Sequence, residues 1–294
     1  MWGWPRTLQV SDRDAAAEKR EVVVIGGGTM GSGIAESFVR IGVGVTLVEV
    51  DCARAESARD RIASAVSGDI TVGRDAPQSA VGNLEIASEL PGNLSPALVV
   101  EAIPEDLDLK ADVLARAERA FPSLPLLATN TSSLSIDELA KRLERPSRFL
   151  GMHFFNPVPR SRLIEVVVGS ETNAAAVELA AAWADRLGKE SIEVRNSPGF
   201  ATSRLGLAIG LEAIRMLEEG VASAEDIDRG MVLGYRFPVG PLKLTDIVGL
   251  DVRLAIAEHL AATLGDRFTP PALLREMVAD GRLGRKTGMG FYRW

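Results

Sequence analysis

The sequence reads Val22-Val23-Val24-Ile25-Gly26-Gly27-Gly28-Thr29-Met30-Gly31 near its start, a β-branched run that leads into a glycine-rich turn. The four β-branched residues predict a strand buried on both faces, and the sequence from Thr29 to Ile41 predicts a helix. The turn has the spacing G-x-G-x-x-G. Gly26 would permit a tight turn, Gly28 would let the backbone approach a pyrophosphate, and Gly31 would let the helix pack against the strand. The pattern predicts a dinucleotide site.

A second strand with an acidic end strengthens this prediction. The run Val45-Thr46-Leu47-Val48 follows the helix, and Glu49 ends it, 23 residues after the first glycine of the motif. A carboxylate at this spacing accepts hydrogen bonds from ribose hydroxyls and repels a 2′-phosphate, so NAD is favoured over NADP. Because of Arg54, NADP stays an alternative, since a nearby arginine can bind a 2′-phosphate. The N–H groups of Thr29 and Met30, at the positive end of the helix dipole, would meet the phosphates.

Short apolar runs and helical stretches alternate along the first two thirds of the chain. This alternation predicts an α/β fold, a Rossmann-like, doubly wound, mostly parallel sheet with helices on both faces. After the breaker Ser197-Pro198-Gly199 the pattern predicts an all-α C-terminal domain. The other predicted elements are strands at Leu98–Val100 and Leu126–Ala128, and helices through about Val66, at Leu107–Phe121, Ile136–Leu143, Phe200–Glu219, Ala224–Leu233, Val252–Leu264 and Pro271–Ala279.

The same pattern divides the chain into three segments. Residues 1–20 lack an apolar leader core and are predicted to be a flexible N-terminal extension. Residues 21–196 are predicted to form the NAD-binding domain. Residues 197–294 are predicted to form the helical domain.

Composition limits the partners and the compartment. The chain has 294 residues, of which 46% are apolar and 25% charged, as in ordinary globular proteins. Its formal net charge of −7 disfavours non-specific binding to nucleic acid or to anionic membranes. No apolar run reaches the roughly 18 residues of a membrane span. Cys52 is the only cysteine, so a reducing compartment and a cytoplasmic location are expected. No metal site is predicted.

One of the two histidines lies in a polar cluster where an apolar strand ends. This residue, His153, occurs within Gly151–Pro157, and Asn130-Thr131-Ser132-Ser133 follows another predicted strand. Strand ends of a doubly wound sheet face the ligand crevice, so Ser132 and His153 are expected near the nicotinamide. Glu165 follows twelve residues later inside an apolar run, where a carboxylate needs a partner, and His153 is the natural one. Because imidazole transfers protons near neutral pH, its presence beside a dinucleotide predicts a dehydrogenase.

Together these features resemble a known family. From Glu21 to Trp294 the sequence is similar to the short-chain L-3-hydroxyacyl-CoA dehydrogenases, which include bacterial 3-hydroxybutyryl-CoA dehydrogenases. The matching motifs, in chain order, are Gly26–Gly31, Val100–Glu105, Asn130–Leu134, His153–Pro159, Ser197–Phe200, Gly240-Pro241, Asp246, Val248–Asp251, Lys286–Gly288 and Gly290–Tyr292.

The resemblance implies a reaction and a set of residue roles. His153 would remove the 3-hydroxyl proton of a hydroxyacyl-CoA while hydride passes from C3 to NAD, and in reverse it would protonate the alkoxide. Glu165 would orient and electrostatically support the imidazole. Ser132 would contact both the substrate hydroxyl and the cofactor. Four further residues would line the NAD pocket: Glu105, Lys110, Asn156 and Lys286.

The resemblance also implies substrate and subunit contacts. Three residues after Phe200 the family usually has an asparagine, and this chain has Ser203, whose hydroxyl would reach the substrate directly or through water. Arg54, Arg59 and Arg61 would meet the CoA phosphates, unless they form an ordinary solvated helix face. The helical domain would supply one wall of the acyl pocket and the interface of a homodimer.

Three other functions stay open at this point. One is a 3-hydroxyadipyl-CoA dehydrogenase, which the sequence does not separate from the shorter-chain type. A second is a hydroxy-acid dehydrogenase of the gulonate or carnitine type, against which the pair Phe154-Phe155 counts. The third is a nucleotide-binding module without turnover, against which the joint presence of Ser132, His153 and Glu165 counts.

Overall fold

A computed structural model describes residues 22–71 and 80–294 of the chain. The predicted N-terminal extension, residues 1–20, lies outside the described residues. The described chain divides into two compact units. The first contains the residues up to 131 together with 136–196, and the second contains 132–135 together with 197–294.

The first unit is built on one eight-stranded sheet. In chain order the strands are β1 (Val22–Ile25), β2 (Val45–Val48), β3 (Leu84–Ala87), β4 (Leu98–Glu101), β5 (Leu127–Thr129), β6 (Phe149–Phe154), β7 (Leu163–Val168) and β8 (Glu190–Arg195). They lie in the order β3-β2-β1-β4-β5-β6-β7-β8. Neighbouring strands are parallel except for β6 and β7, which are antiparallel. The predicted α/β class with a mostly parallel sheet is confirmed.

Helices cover this sheet and make up the second unit. Those of the first unit are α1 (Thr29–Arg40), α2 (Cys52–Thr71), α3 (Leu107–Ala120), α4 (Ile136–Ala140) and α5 (Ala174–Arg186). Those of the second unit are α6 (Thr202–Glu218), α7 (Ala224–Tyr235), α8 (Pro241–Val248), α9 (Leu250–Leu264) and α10 (Ala272–Ala279). The predicted helical C-terminal region is therefore confirmed. Among the described residues, no helix is both long and apolar enough to cross a membrane.

The central strands are buried along their whole length. Every residue of β1, β2 and β4 is buried, as continuous apolar runs between two helical layers require. The strand order reverses where the chain passes from the β2 side of β1 to β4 on its other side. In open α/β sheets, ligands bind outside the carboxyl ends of the strands at such a point. The glycine-rich turn after β1 and the end of β4 both lie there.

Two strands and two α-helices were not predicted from the sequence, and two predicted helices end three or more residues away from the predicted position. The unpredicted strands, β3 and β8, are the two edges of the sheet, and they carry charged residues instead of continuous apolar runs. The helices α5 and α8 were also missed. The helix predicted to end near Val66 continues to Thr71, and the helix predicted to reach Leu143 ends at Ala140.

Candidate active site

The turn after β1 has the geometry that its glycines predict. Gly26 has φ of +107°, a conformation that other residues rarely adopt. A Cβ atom on Gly26 would lie 2.7 Å from the Ala102 carbonyl oxygen, and one on Gly31 would lie 1.9 Å from the Gly26 carbonyl oxygen. By contrast, no atom lies within 4 Å of the position of a Cβ on Gly28. The turn is thus closed against the strand and open on the side that a ligand backbone or phosphate would approach.

The N-terminus of α1 faces this open side. Gly28 precedes α1 and supplies no side-chain cap, and the first N–H groups of a helix have no partner within the helix. Gly28 and Thr29 are exposed, and Met30 is half-buried. Exposed N–H groups at the positive end of a helix dipole bind phosphate.

Glu49 extends from the end of β2 to the same turn. Its Oε2 accepts a hydrogen bond of 2.8 Å from the Gly27 N–H, and its Oε1 accepts one of 3.1 Å from the Asp51 N–H. An ionised carboxylate has about four acceptor positions, so both oxygens retain capacity for hydroxyl donors. The carboxylate is therefore fixed beside the turn, where ribose hydroxyls of a dinucleotide would lie.

A cavity of about 400 Å³ opens between this turn and α2. Both Arg54 and Arg61 line it, and Arg61 Nη2 donates to the Gly27 carbonyl oxygen at 3.1 Å. The cavity thus joins a helix N-terminus to two guanidinium groups, a combination that suits an anionic ligand. From the sequence these arginines were candidates for the CoA phosphates or for a solvated helix face, and in the structure both line the cavity at the glycine-rich turn.

The end of β4 carries a buried carboxylate that sequence analysis missed. Glu101 is fully buried, and its Oε1 accepts hydrogen bonds from Lys110 Nζ at 2.7 Å and from the Ile103 N–H at 2.6 Å. Its Oε2 accepts one of 2.5 Å from the Thr129 hydroxyl. The signal was available, because Glu101 ends an apolar strand in the same way as Glu49 does.

Two residues implied to line the cofactor pocket belong to this network. Lys110 is fully buried and does not lie on a solvated helix face. Its Nζ also donates to the Ile103 carbonyl oxygen at 3.1 Å and lies 3.5 Å from Oε2 of Glu105. Glu105 itself is exposed and accepts a hydrogen bond from the Thr131 hydroxyl at 2.7 Å. The network ties the loop after β4 to the end of β5.

The predicted histidine–carboxylate contact is confirmed. His153 on β6 and Glu165 on β7 are direct partners in the antiparallel register, so their side chains emerge on the same face of the sheet. His153 Nδ1 lies 2.6 Å from Glu165 Oε2. Glu165 is fully buried and His153 is 7% exposed. With an ionised Glu165, Nδ1 is the protonated nitrogen, which leaves the acceptor function of the neutral ring to Nε2.

Neighbouring groups hold the histidine strand in place. The Asn130 side-chain oxygen accepts a hydrogen bond of 2.9 Å from the Phe154 N–H, which links the end of β5 to β6. The Phe155 ring lies 4.5 Å from the imidazole, centroid to centroid, and covers part of it. Position and tautomer of the imidazole are thus both set by the local fold.

The remaining predicted site residues lie on loops and on the second unit. Asn156 follows β6 and is exposed, and Ser132 belongs to the short segment 132–135 that groups with the second unit. Ser203 lies in the first turn of α6 and is half-buried. Lys286 Nζ contacts both carboxylate oxygens of Asp251 at 2.6 Å. Burial raises the pKa of Asp251, but the hydrogen bonds from Lys286 and from the backbone, together with the lysine charge, outweigh it, and the net pKa is lowered.

The first unit therefore joins a glycine-rich turn and a buried imidazole–carboxylate pair in one sheet. The residues of the turn fit NAD, because the backbone is open at Gly28 and a fixed carboxylate lies beside it. A sheet of this kind with an imidazole–carboxylate pair defines the class of nicotinamide-dependent dehydrogenases.

Comparison with known proteins identifies the family within this class. Residues 21–197 match the family model of the 3-hydroxyacyl-CoA dehydrogenase NAD-binding domain, and residues 199–294 match that of the C-terminal domain. The chain belongs to the 3-hydroxyacyl-CoA dehydrogenase family, and it is an NAD-dependent dehydrogenase.

Individual relatives agree with this assignment. The chain is 39% identical, over 94% of its length and 97% of the relative's, to a probable 3-hydroxybutyryl-CoA dehydrogenase of Bacillus subtilis. It is 37% identical to a 3-hydroxyadipyl-CoA dehydrogenase of Escherichia coli, over 93% of this chain and 58% of that one. The crystal structure of an (S)-3-hydroxybutyryl-CoA dehydrogenase from Ralstonia eutropha superposes with a TM-score of 0.88 at 39% identity, covering 94% and 99% of the two chains.

Proposed function

We propose that the protein interconverts (3S)-3-hydroxyacyl-CoA and 3-oxoacyl-CoA thioesters with NAD as the oxidant. The observation that carries this proposal is the buried contact of 2.6 Å between His153 and Glu165, in a sheet that also bears the dinucleotide turn. The names of the relatives support an acyl-CoA substrate. Fatty-acid or short-chain acyl-CoA metabolism is the matching cellular role.

His153 acts as the general base in the oxidation. Its Nε2 takes the proton from the 3-hydroxyl group as the C3–O bond becomes a carbonyl, and the electron pair of the C3–H bond leaves as hydride. NAD, when bound, accepts that hydride at its nicotinamide ring. In the reduction, the protonated imidazole returns its proton to the alkoxide oxygen. Such acid–base assistance contributes about 10²–10⁴ in rate.

Glu165 acts through the imidazole. By accepting a hydrogen bond from the Nδ1–H group it holds His153 in the tautomer that has its acceptor on Nε2. Its negative charge also stabilises the positive ring that forms when Nε2 takes the substrate proton. A charge-assisted hydrogen bond of this kind is worth about 1.5–3 kcal/mol.

Two groups of residues bind the cofactor. The diphosphate is held by the glycine-rich turn and the start of α1, that is by Gly26, Gly28, Thr29, Met30 and Gly31. Glu49 accepts hydrogen bonds from the ribose hydroxyls. The resemblance also assigns five residues to the NAD pocket, Glu105, Lys110 and Asn156 of the first unit and Ser132 and Lys286 of the second. The cavity beside α2 supports a further role for Arg54 and Arg61 near the phosphates.

The second unit binds substrate and joins two protomers. Ser203 donates a hydrogen bond to the acyl thioester, in the role of the family asparagine. An apolar cavity of about 650 Å³ between α6 and α7, with the exposed side chains of Leu233 and Tyr235 nearby, supports a homodimer interface. We place the enzyme in the cytoplasm, in line with its single cysteine.

The test is a direct assay. Purified protein with NADH and acetoacetyl-CoA should lose the absorbance of the reduced nicotinamide, and NADPH should replace NADH poorly. The proposed function would be overturned if neither acetoacetyl-CoA nor any 3-oxoacyl-CoA whose chain is two to eight carbons longer were reduced with either cofactor.

A further inference from the structure

An arginine occupies a core position of the second unit. On α9, four buried residues share the face that packs into the helical core: Leu250, Arg253, Ala257 and Leu260. The spacing is that of one face of a helix. Arg253 is 7% exposed, although the other three members of the row are apolar. A guanidinium stays protonated in proteins, so this position buries a positive charge.

That charge has no counterpart in the described part of the chain. Arg253 Nε is inaccessible and has no hydrogen-bond partner. Burial lowers the pKa of Arg253, and no neighbouring acid opposes the shift. Buried charges in proteins are normally paired, because an unpaired one costs several kcal/mol. The arrangement therefore points to an anion that comes from outside these residues.

A glycine of α6 faces the guanidinium. Gly206 of α6 is half-buried, and a Cβ atom built on it would meet only Arg253 Nη1, at 3.8 Å. One turn later there is no such room beside α6, since a Cβ on Gly210 would lie 3.3 Å from the Thr245 hydroxyl oxygen. The missing side chain at position 206 thus leaves room next to the guanidinium on α6.

We propose that Arg253 binds a carboxylate at the far end of the acyl chain, so that the enzyme prefers CoA thioesters of 3-hydroxy and 3-oxo dicarboxylic acids. This inference rests on the proposed function, because it takes Ser203 as a substrate contact. Ser203 and Gly206 are three residues apart on α6 and share one face, about 4.5 Å apart along the axis. An acyl chain that starts at Ser203 and follows this face would end at the guanidinium.

The chemistry of the two possible chain ends favours the carboxylate. The planar guanidinium matches a carboxylate with two parallel hydrogen bonds. A plain alkyl end would leave the charge uncompensated and would also remove its remaining access to water. Arg253 is therefore a specificity-determining residue, and Gly206 provides its access.

The experiment compares two six-carbon substrates that differ only in the terminal carboxylate, 3-oxoadipyl-CoA and 3-oxohexanoyl-CoA, each with NADH. The wild-type protein should have the higher kcat/KM for 3-oxoadipyl-CoA. In Arg253→Met, which keeps the length but not the charge, the ratio of the two kcat/KM values should fall about 10- to 100-fold, the range expected for a lost charge-assisted hydrogen bond. Arg229→Met, at an exposed arginine of α7, is the control and should leave the ratio as it is.

Each outcome has one meaning. Equal wild-type rates for the two substrates, or an unchanged ratio in Arg253→Met, would overturn the inference and leave the proposed function standing. Reduction of neither substrate, nor of acetoacetyl-CoA, would overturn the proposed function itself. The Tm of ligand-free Arg253→Met should equal or exceed that of the wild type, because the substitution removes an unpaired charge. A Tm lower by several degrees would show that Arg253 already has a partner and would also overturn the inference.

Discussion

Two fully buried glutamates of the same sheet, Glu165 and Glu101, have partners of different chemistry. Glu165 lies 2.6 Å from an imidazole nitrogen, and Glu101 lies 2.7 Å from a lysine ammonium. Both contacts join neighbouring elements of the first unit, and the distances hardly differ. The lysine has three donors and no acceptor, whereas the imidazole has a second nitrogen that can take or give a proton.

The difference shows that burial and short distance do not by themselves identify a proton-transfer site. The pair at Glu101 fixes the loop after β4 and the end of β5, through Lys110, the Ile103 N–H and Thr129. The pair at Glu165 fixes a ring whose second nitrogen, in the proposed function, exchanges a proton with the substrate. We therefore expect substitutions at the first pair to affect stability and cofactor binding, and substitutions at the second to affect turnover.

The largest effect is expected at the imidazole. His153→Gln should lower kcat by about 10²–10⁴, because it removes the proton acceptor. NADH binding, followed by nicotinamide fluorescence, should persist. The control is His259→Gln, at the exposed histidine of α9, which should keep the wild-type rate. Full turnover in His153→Gln would contradict the claim that the His153–Glu165 pair transfers protons and the Lys110–Glu101 pair does not.

The next largest effect is expected at the pair of Lys110 and Glu101, as a loss in the free energy of unfolding. Lys110→Met should lower the free energy of unfolding by about 3–5 kcal/mol, since it leaves the buried Glu101 carboxylate without its counter-charge. It should also raise KM for NADH. Lys141→Met removes an exposed lysine from its contact with Glu138 and should cost at most about 1 kcal/mol. Equal losses in urea unfolding of the two variants would contradict the structural role of Lys110.

The smallest effect is expected at Glu165. Glu165→Gln should reduce kcat roughly 10- to 100-fold, because a neutral amide replaces a charge-assisted hydrogen bond of about 1.5–3 kcal/mol. Steady-state assays with acetoacetyl-CoA measure the change. Glu190→Gln, at an exposed carboxylate of β8, serves as the matched control and should leave kcat as it is. A rate loss in Glu165→Gln larger than in His153→Gln would reverse the assigned roles.

Continuous apolar runs made the centre of the fold predictable. The strands β1 and β2 were predicted with the bounds that they have, because strands buried on both faces form short runs rich in β-branched residues and free of charged ones. The edges were not predictable in this way. No residue of β8 is buried, and polar residues such as Glu190 and Glu193 interrupt the apolar signal. Edge strands commonly carry such charges, which discourage pairing with other chains.

The site was predictable where one residue type implies one chemistry. A carboxylate inside the apolar run of β7 requires a partner, and His153 was the candidate of suitable chemistry on a neighbouring strand. The burial of Lys110 was harder to predict, because its neighbours Asp106 and Asp108 suggest a solvated first turn of α3. Its burial depends on Glu101 at the end of β4, nine residues earlier, which only the tertiary fold brings beneath it. Arg253 was missed for a similar reason, since its surroundings come from α6.

A double-mutant cycle on His153 and Glu165 tests most directly whether the carboxylate works through the imidazole. We predict that the double variant His153→Gln/Glu165→Gln has the same kcat as His153→Gln alone, because the carboxylate has no ring left to support. A further loss of about 10- to 100-fold in the double variant, equal to that of Glu165→Gln by itself, would show that the two residues act independently and would contradict the account.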